Sequence, residues 1–174
     1  MEPDDQPEAP VEIVRYDASW PRRFEEEHDL LAKTLGQWIV GGIEHVGSTA
    51  VPGLDAKPVI DIMAGVQDLD SSRAAIPVAE RLGYSYAPYR PDVMHWFCKP
   101  SPAYRTHHLH LVPFQSRKWI EPIAFRDYLR AHSDTAAEYA LLKRSLADRF
   151  KFDRERYTEE KGPFIENILR IALK

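Results

Sequence analysis

Three histidines fall within four residues in Thr106-His107-His108-Leu109-His110-Leu111-Val112, the densest run of chemistry-bearing side chains in the sequence. In an extended strand side chains alternate, so His108 and His110 share one face and His107 lies on the other with Leu109 and Leu111. Two imidazoles at that spacing can grip one metal ion. Alternatively, one can bind a phosphoryl group while the other relays a proton. A third reading needs no metal: one imidazole hydrogen-bonded to Asp61 or Glu44.

Asp61 stands in the apolar run Val59–Val66. A carboxylate in such a strand is costly unless it is ion-paired, hydrogen-bonded or bound to a metal. Gly47-Ser48-Thr49 follows another strand-like run, Ile43-Glu44-His45-Val46. A glycine there lets backbone approach a ligand, and hydroxyls and amides beside it can cradle an anion; the same tripeptide also makes a simple turn. Lys57 precedes the Asp61 strand and Arg105 precedes the histidine strand, so both can neutralise a phosphate or stand as solvated strand-end charges. Glu44 and His45 are further candidates on the strand before Gly47. Tyr157 and Lys161 lie one helical turn apart and project from one helix face, an arrangement that equally suits surface decoration or packing against the sheet.

Some chemistries are excluded by spacing. A Walker phosphate loop is absent. The third histidine of a histidine-triad nucleotide hydrolase would fall at Val112, and no H-x-[ST] pair of a two-histidine phosphoesterase occurs. Tyr157 and Lys161 match the YxxxK of short-chain dehydrogenases without that family's glycine-rich cofactor motif.

The elements that must position these residues follow from periodicity. Val11–Val14 reads as a short strand. Ser19 offers an N-cap to a helix bearing Phe24, His28, Leu31 and Leu35, and Gly41-Gly42 breaks the pattern before the Ile43–Val46 strand. The turn-rich stretch 50–58 is a loop with one helical turn. In the Val59–Val66 strand, Ile60, Ile62 and Ala64 face one side and Asp61, Met63 and Gly65 the other. A helix is expected over Asp70–Leu82, then strands at Tyr84–Tyr89, Val93–Lys99 and Thr106–Val112, the last two joined by Pro100-Ser101-Pro102 as an antiparallel hairpin. From Glu121 the chain is helical, with Ser133 capping a helix of Tyr139, Leu142, Leu146 and Phe150, and a final helix carrying Phe164, Ile165, Ile168, Leu169 and Ile171. A mixed sheet followed by a helical tail is an α+β class.

With 174 residues, 44% hydrophobic and 29% charged, the chain has the composition of one globular domain. Residues 1–10 read as a disordered acidic and proline-rich tail, and 11–174 as a single domain. A net charge of −4 gives no general attraction to nucleic acid. No apolar run approaches a bilayer span and no signal peptide is visible. With one cysteine, Cys98, set in an apolar run and read as core, these features lead to the expectation of a cytoplasmic protein without disulfides or membrane.

The stretch IEHVGSTAVPGLDAKPVIDIMAGV, residues 43–66, resembles the signature of the GrpB family of bacterial proteins, a family that also occurs as a domain fused to dephospho-CoA kinase. RTHHLHLVP (105–113), FRDYL (125–129), EYALLK (138–143) and YTEEKGPFIENIL (157–169) extend the resemblance over nearly the whole chain. It implies a nucleotidyltransferase-like fold, similar to the superfamily that includes DNA polymerase beta. That superfamily places a Gly-[Gly/Ser] loop after one strand, two acids at i and i+2 on the next, and a third acid on a later strand. Gly47-Ser48 and Asp61 match; Met63 stands at the second acid, and the 106–112 strand offers histidine at the third. Two-metal phosphoryl transfer needs several hard oxygen ligands, whereas one aspartate with two imidazoles favours one softer divalent ion such as zinc or manganese, or none.

Two functions are therefore expected as alternatives. In one, an enzyme of nucleotidyl or phosphoryl transfer acts on a nucleotide or phosphorylated small molecule. Gly47, Ser48, Thr49, Lys57 and Arg105 hold phosphate, and Asp61, His108 and His110 bind one divalent ion or do acid–base work. In the other, a catalytically inactive module keeps the cleft and binds a nucleotide or metabolite.

Overall fold

The computed structural model describes residues 7–174. The strands are β1 (Ile39–Val46), β2 (Ile60–Val66), β3 (Ser85–Tyr86), β4 (His95–Pro100) and β5 (Arg105–Pro113). The helices are α1 (Trp20–Leu35), α2 (Ala75–Arg81), α3 (Arg117–Ala131), α4 (Ser133–Arg149) and α5 (Arg154–Ala172). One mixed sheet runs in the order β1-β2-β5-β4-β3. Within it β2 and β5 are parallel neighbours, while β1–β2, β4–β5 and β3–β4 are antiparallel.

Alternation along β2 divides the molecule into two layers. Ile60, Ile62, Ala64 and Val66 pack with Leu109 and Leu111 of β5, Phe97 of β4, Phe24, Leu31 and Leu35 of α1 and Ala75 and Ala79 of α2. Met63, on the opposite face, packs with Val46, Met94, Trp96, Cys98, Val112 and Trp119 of α3. Cys98 is fully buried there, as its apolar neighbours imply. The helices α3, α4 and α5 join around Leu129, Tyr139, Phe125 and Phe164, beside Val51 and Leu54 of the loop after β1. The helical tail is thus a second layer whose edge overhangs the Asp61 face of the sheet.

Several elements differ in extent from their sequence pattern. Val11–Val14 is not a strand: Val14 forms one bridge to Ala56, and the Val11 N–H donates to the Lys151 carbonyl. The segment lies across the α4–α5 turn, with Val11 packed on Leu146 and Tyr157. Residues 7–10, read as tail, include Ala9, whose N–H donates to Ala103, and Glu8, which pairs with Arg154 at 3.5 Å and Arg105 at 3.8 Å. The rest of the expected tail lies outside the described residues. Helix α2 begins at Ala75 instead of Asp70, because the Asp68 carboxylate accepts from the Ser71 N–H and the Ser72 hydroxyl donates to the Asp68 carbonyl, turning the chain before it can coil. The strand after α2 shrinks to Ser85–Tyr86, and α3 starts at Arg117, four residues before Glu121. Gly41 and Gly42 lie inside β1 at a bulge; the Phe114 ring occupies the space a Cβ at Gly41 would need. Ser19 precedes α1 without a side-chain cap bond; Asp17 accepts from the Ser19 N–H instead. Ser133 is the first residue of α4 and not its cap.

Candidate functional site between the sheet and the helical layer

The register of β2 against β5 sets Asp61 opposite His108 and Met63 opposite His110, all with side chains on the sheet face that the helical layer overhangs. His108 Nδ1 lies 3.0 Å from the Asp61 Oδ1 and His110 Nε2 3.6 Å from the same oxygen. The three side chains keep 15–27% exposure, so the group opens to solvent. Burial by itself would raise the Asp61 pKa, but hydrogen bonds and charge from His108 and His110 hold it well below the usual carboxylate range. Burial depresses His108 against the pull of Asp61. The pair is therefore an ionised carboxylate accepting from a neutral imidazole through Nδ1–H. That leaves the His108 Nε2 lone pair buried and without a hydrogen bond.

The donor atoms of Asp61, His108 and His110 all lie within 4.8 Å of one another. Ligands about 2.0–2.2 Å from one tetrahedral ion sit roughly 3.4 Å apart, so the three residues can close on a single ion with little movement. One carboxylate and two imidazoles suit zinc or manganese. They do not suit a pair of hard ions, because Met63 occupies the same face two residues beyond Asp61.

Gly47 forms the corner where β1 turns above Asp61. Its backbone, at φ +74° and ψ −176°, lies in a region open essentially to glycine alone. The three residues that follow make a short 3-10 turn, and there Ser48 and Thr49 part company. The Ser48 side chain lies against the Tyr139 phenol. Thr49 is buried, donates its hydroxyl to the Val59 carbonyl at 3.0 Å, and receives His45 Nε2–H at 2.9 Å. Both Thr49 and His45 are thus structural braces of the turn, not phosphate contacts. His45 lies on the opposite face, stacked on Phe24 at 4.8 Å, and burial brings its pKa down to about 4. Glu44 does share the Asp61 face, through its pairing with Met63, but its carboxylate is held by Arg126 at 2.6 Å and stands apart from the Asp61 group. Arg126, on α3, also donates to the His45 carbonyl at 3.0 Å, which locks helix to strand.

Arg105 is engaged at the hairpin turn, within Coulombic reach of Lys57. Its Nε donates to the Pro102 carbonyl at 2.8 Å and its guanidinium lies over the Trp96 ring, which fastens the hairpin turn. Of the hairpin aromatics, Trp96 is core and Tyr104 is exposed. His107 falls on the far face beside the Glu27–Lys99 ion pair, with burial lowering its pKa to about 4.

The helical layer brings further charged groups within reach of Asp61. Helices α4 and α5 each carry Tyr-x-x-x-Lys, at Tyr139/Lys143 and Tyr157/Lys161. Both tyrosines are buried, so these pairs are not surface decoration. Lys143 Nζ lies 4.8 Å from the Tyr139 ring centre and donates to the Asp55 carbonyl at 2.5 Å. Lys161 lies 4.6 Å and Lys57 5.1 Å from the Tyr157 ring centre. Burial, then Lys57, pushes Lys161 down to about 7, with Asp61 opposing. Burial, then Lys161, pushes Lys143 to about 7, with Asp55 opposing. Lys57 is lowered chiefly by burial, again with Asp61 opposing. Among the described residues no carboxylate comes within 4.0 Å of any of the three ammonium groups. Lys57 and Lys161 lie within Coulombic reach of Asp61, and Lys143, whose nearest acidic influence is Asp55, lies within reach of both lysines. Sunken and without a directly bonded carboxylate, the three can take an anion with several charges. Lys143 and Tyr139 were the residues missed in the sequence, where the second Tyr-x-x-x-Lys was the signal that could have found them.

The chain as a whole is similar to several known proteins. A UPF0157 protein of Pseudomonas aeruginosa is 40% identical over 169 residues, covering 94% of this chain and 68% of its own. The glutamate-rich protein GrpB of Alkalihalophilus pseudofirmus is 36% identical over 164 residues, covering 91% of this chain and 94% of its own. The crystal structure of a conserved protein GrpB from Enterococcus faecalis superposes with a TM-score of 0.84 at 34% identity, over 93% of this chain and 97% of that one. More distantly, a chain of the GLD-2/RNP-8 complex shares the fold with a TM-score of 0.57 at 12% identity, over 92% of this chain and 62% of that one, in keeping with a nucleotidyltransferase-like sheet. A dephospho-CoA kinase of Mycolicibacterium paratuberculosis is 27% identical over 191 residues, and the match takes in 94% of this chain but 46% of the kinase. A family model described as GrpB protein matches residues 10–170. On that match and those relatives, the chain belongs to the GrpB family.

Proposed function

We propose that this protein binds a nucleotide or another phosphorylated small molecule in the cleft between β2/β5 and α4/α5, together with one divalent ion, and acts on it by nucleotidyl or phosphoryl transfer. The observation that carries this reading is the cluster of three sunken lysines, Lys57, Lys143 and Lys161, with no carboxylate within 4.0 Å, of which Lys57 and Lys161 lie within Coulombic reach of Asp61. An unpaired buried ammonium is costly, and a phosphate chain would satisfy all three at once.

In this reading Lys57, Lys143 and Lys161 neutralise the phosphates and Ser48 offers a hydroxyl at the Gly47 corner. Asp61, His108 and His110 would hold the ion, which when bound supplies positive charge beside a phosphate oxygen. Asp61 keeps the His108 imidazole oriented by accepting from Nδ1–H. The similarity to part of a dephospho-CoA kinase supports a phosphorylated ligand, as does the fold.

A second reading is favoured by Met63, which stands where a further hard ligand would be needed on the Asp61 face. Here the cleft binds its ligand without turnover. The test is thermal stability with ATP and zinc or manganese, in the wild type and in Asp61→Asn, followed by phosphorus NMR of the nucleotide. Stabilisation lost in Asp61→Asn, with new phosphorus signals, supports transfer. Stabilisation with unchanged nucleotide supports the binding module, and no shift with any nucleotide or ion would defeat both.

A further inference from the structure

We infer that Arg105 and Arg154 form an anion site of their own at the β4–β5 hairpin turn, closed in the free protein by the chain's own Glu8. A phosphate dianion, free or as the end group of a monoester, takes the site by displacing residues 7–10. The site uses none of the three lysines of the proposed cleft, and the inference does not rest on that reading.

Arg105 opens β5 and Arg154 opens α5, and their guanidiniums converge on the same two oxygens. The Pro102 carbonyl accepts from Arg105 Nε at 2.8 Å and from Arg154 Nη1 at 3.3 Å. Glu8 Oε1 lies 3.8 Å from Arg105 Nη2 and 3.5 Å from Arg154 Nη1. The arginine side chains are 19% and 17% exposed, whereas that of Glu8 is 54% exposed. Among the described residues no other carboxylate comes within 4.0 Å of either guanidinium. One carboxylate thus serves two sunken cations, and from farther off than the about 2.7–2.9 Å of a charge-assisted hydrogen bond. Burial, then repulsion by Arg154, lowers the Arg105 pKa, with Cys98 and Glu8 opposing. A phosphate dianion carries a charge and an oxygen for each guanidinium, which a single carboxylate at this spacing does not.

The strap that carries Glu8 is lightly held. The Ala9 N–H donates to the Ala103 carbonyl at 3.1 Å, and Arg154 Nη2 donates to the Ala9 carbonyl at 3.4 Å. Val11, by contrast, is buried against Leu146 and Tyr157, with its N–H bonded to the Lys151 carbonyl at 2.7 Å. Val11 is therefore a fixed point from which residues 7–10 can lift without unseating the core. The floor of the site stays in place when they do, because the Arg105 guanidinium rests 5.1 Å from the centre of the buried Trp96 ring. The same ring lies 5.1 Å from that of His108, so an anion on the arginine pair stands one aromatic ring away from the Asp61 group.

NMR titration with inorganic phosphate and with AMP tests the assignment, read at the Ala9 N–H and the Arg105 Nε–H. Both signals are expected to shift, and exchange of the Ala9 amide to quicken as its bond to Ala103 opens. Glu8→Gln removes the internal competitor and should tighten phosphate about fivefold. Arg154→Gln should weaken it at least tenfold. The two variants move the affinity in opposite directions, so a loss of folding cannot imitate the pattern. AMP binding tighter than phosphate assigns a monoester; AMP no tighter assigns the free ion. Unshifted Ala9 and Arg105 signals, or a Glu8→Gln affinity no higher than wild type, would overturn the site. Shifts confined to Lys57 and Lys161 would do the same and leave the lysine cleft standing. Shifts at Ala9 and Arg105 that persist in Lys161→Met would uphold the arginine site even with the lysine reading lost.

Discussion

Gly47 and Asp61 touch so closely that a Cβ added at position 47 would sit 2.6 Å from the Asp61 Oδ2 oxygen. The corner after β1 thus packs directly on the carboxylate that the histidines address. Gly47→Ala should cost about 1–3 kcal/mol from its backbone conformation alone and displace Asp61 as well. Denaturant unfolding and zinc titration are expected to show lower stability and lost ion binding together. Gly53→Ala is the control: it also has positive φ, +79°, but nothing lies within 4 Å, so it should lose stability and retain the ion. Retained zinc affinity in Gly47→Ala would argue against the Asp61 site.

Lys161 should be a residue that the free protein is better without. Replacing it by methionine removes a half-buried cation that Lys57 repels, and is expected to raise Tm near neutral pH by about 2–4 °C for each kcal/mol relieved. The same change should abolish stabilisation by sulfate or pyrophosphate. A lower Tm with anion stabilisation intact would show that the ammonium has another role.

The lysine cluster also sets a pH dependence. Lys143 and Lys161 are depressed to about 7 from an ordinary value near 10.5. Between those limits the unfolded chain binds more protons, so the free protein gains stability as pH rises from about 7 toward 10.5. Anion binding runs the other way. Sulfate, a dianion throughout, should stabilise strongly at pH 6 and weakly at pH 9. A sulfate effect independent of pH would exclude these two amines from the pocket.

His45 contributes in the acidic range. Its folded pKa of about 4 lies below the ordinary 6.5, so the neutral form is favoured by folding. Stability is full above about pH 6.5 and falls as pH drops toward 4, by roughly 3 kcal/mol at most. His107, also lowered to about 4, acts in the same direction. His45→Phe is expected to flatten part of the acid limb of a Tm-against-pH curve. It should also lower the plateau through loss of the bond to Thr49. An unaltered slope would mean that His45 does not titrate in this window.

Arg126 is the hinge pin between α3 and β1. Arg126→Met would strand the Glu44 carboxylate and the buried His45 carbonyl, at a cost of roughly 2–4 kcal/mol. Glu44→Gln should cost less, since the arginine keeps its bonds to Asp127 and to the His45 carbonyl. Equal losses in urea unfolding would show that the ion pair, not the backbone bond, carries the joint.

Alternation in two short segments made much of the sheet side of the site legible from sequence. In Val59–Val66 it puts Asp61 on the face opposite Ile60 and Ile62, and in Thr106–Val112 it pairs His108 with His110 and sends His107 away. Period two is a local property of an extended chain, so it survives without knowledge of neighbours. What only the tertiary structure decided was which partners meet across those faces. Thr49 and Ser48 are adjacent, yet one braces the Val59 carbonyl and the other meets Tyr139 of α4, because the 3-10 turn rotates successive side chains apart. Arg105 precedes the histidine strand but folds back on Pro102 and Trp96. Lys143 comes within reach of Lys57 and Lys161 because α4 packs its tyrosine face over the loop after β1. Such long-range placement is set by packing between layers, which no local spacing encodes.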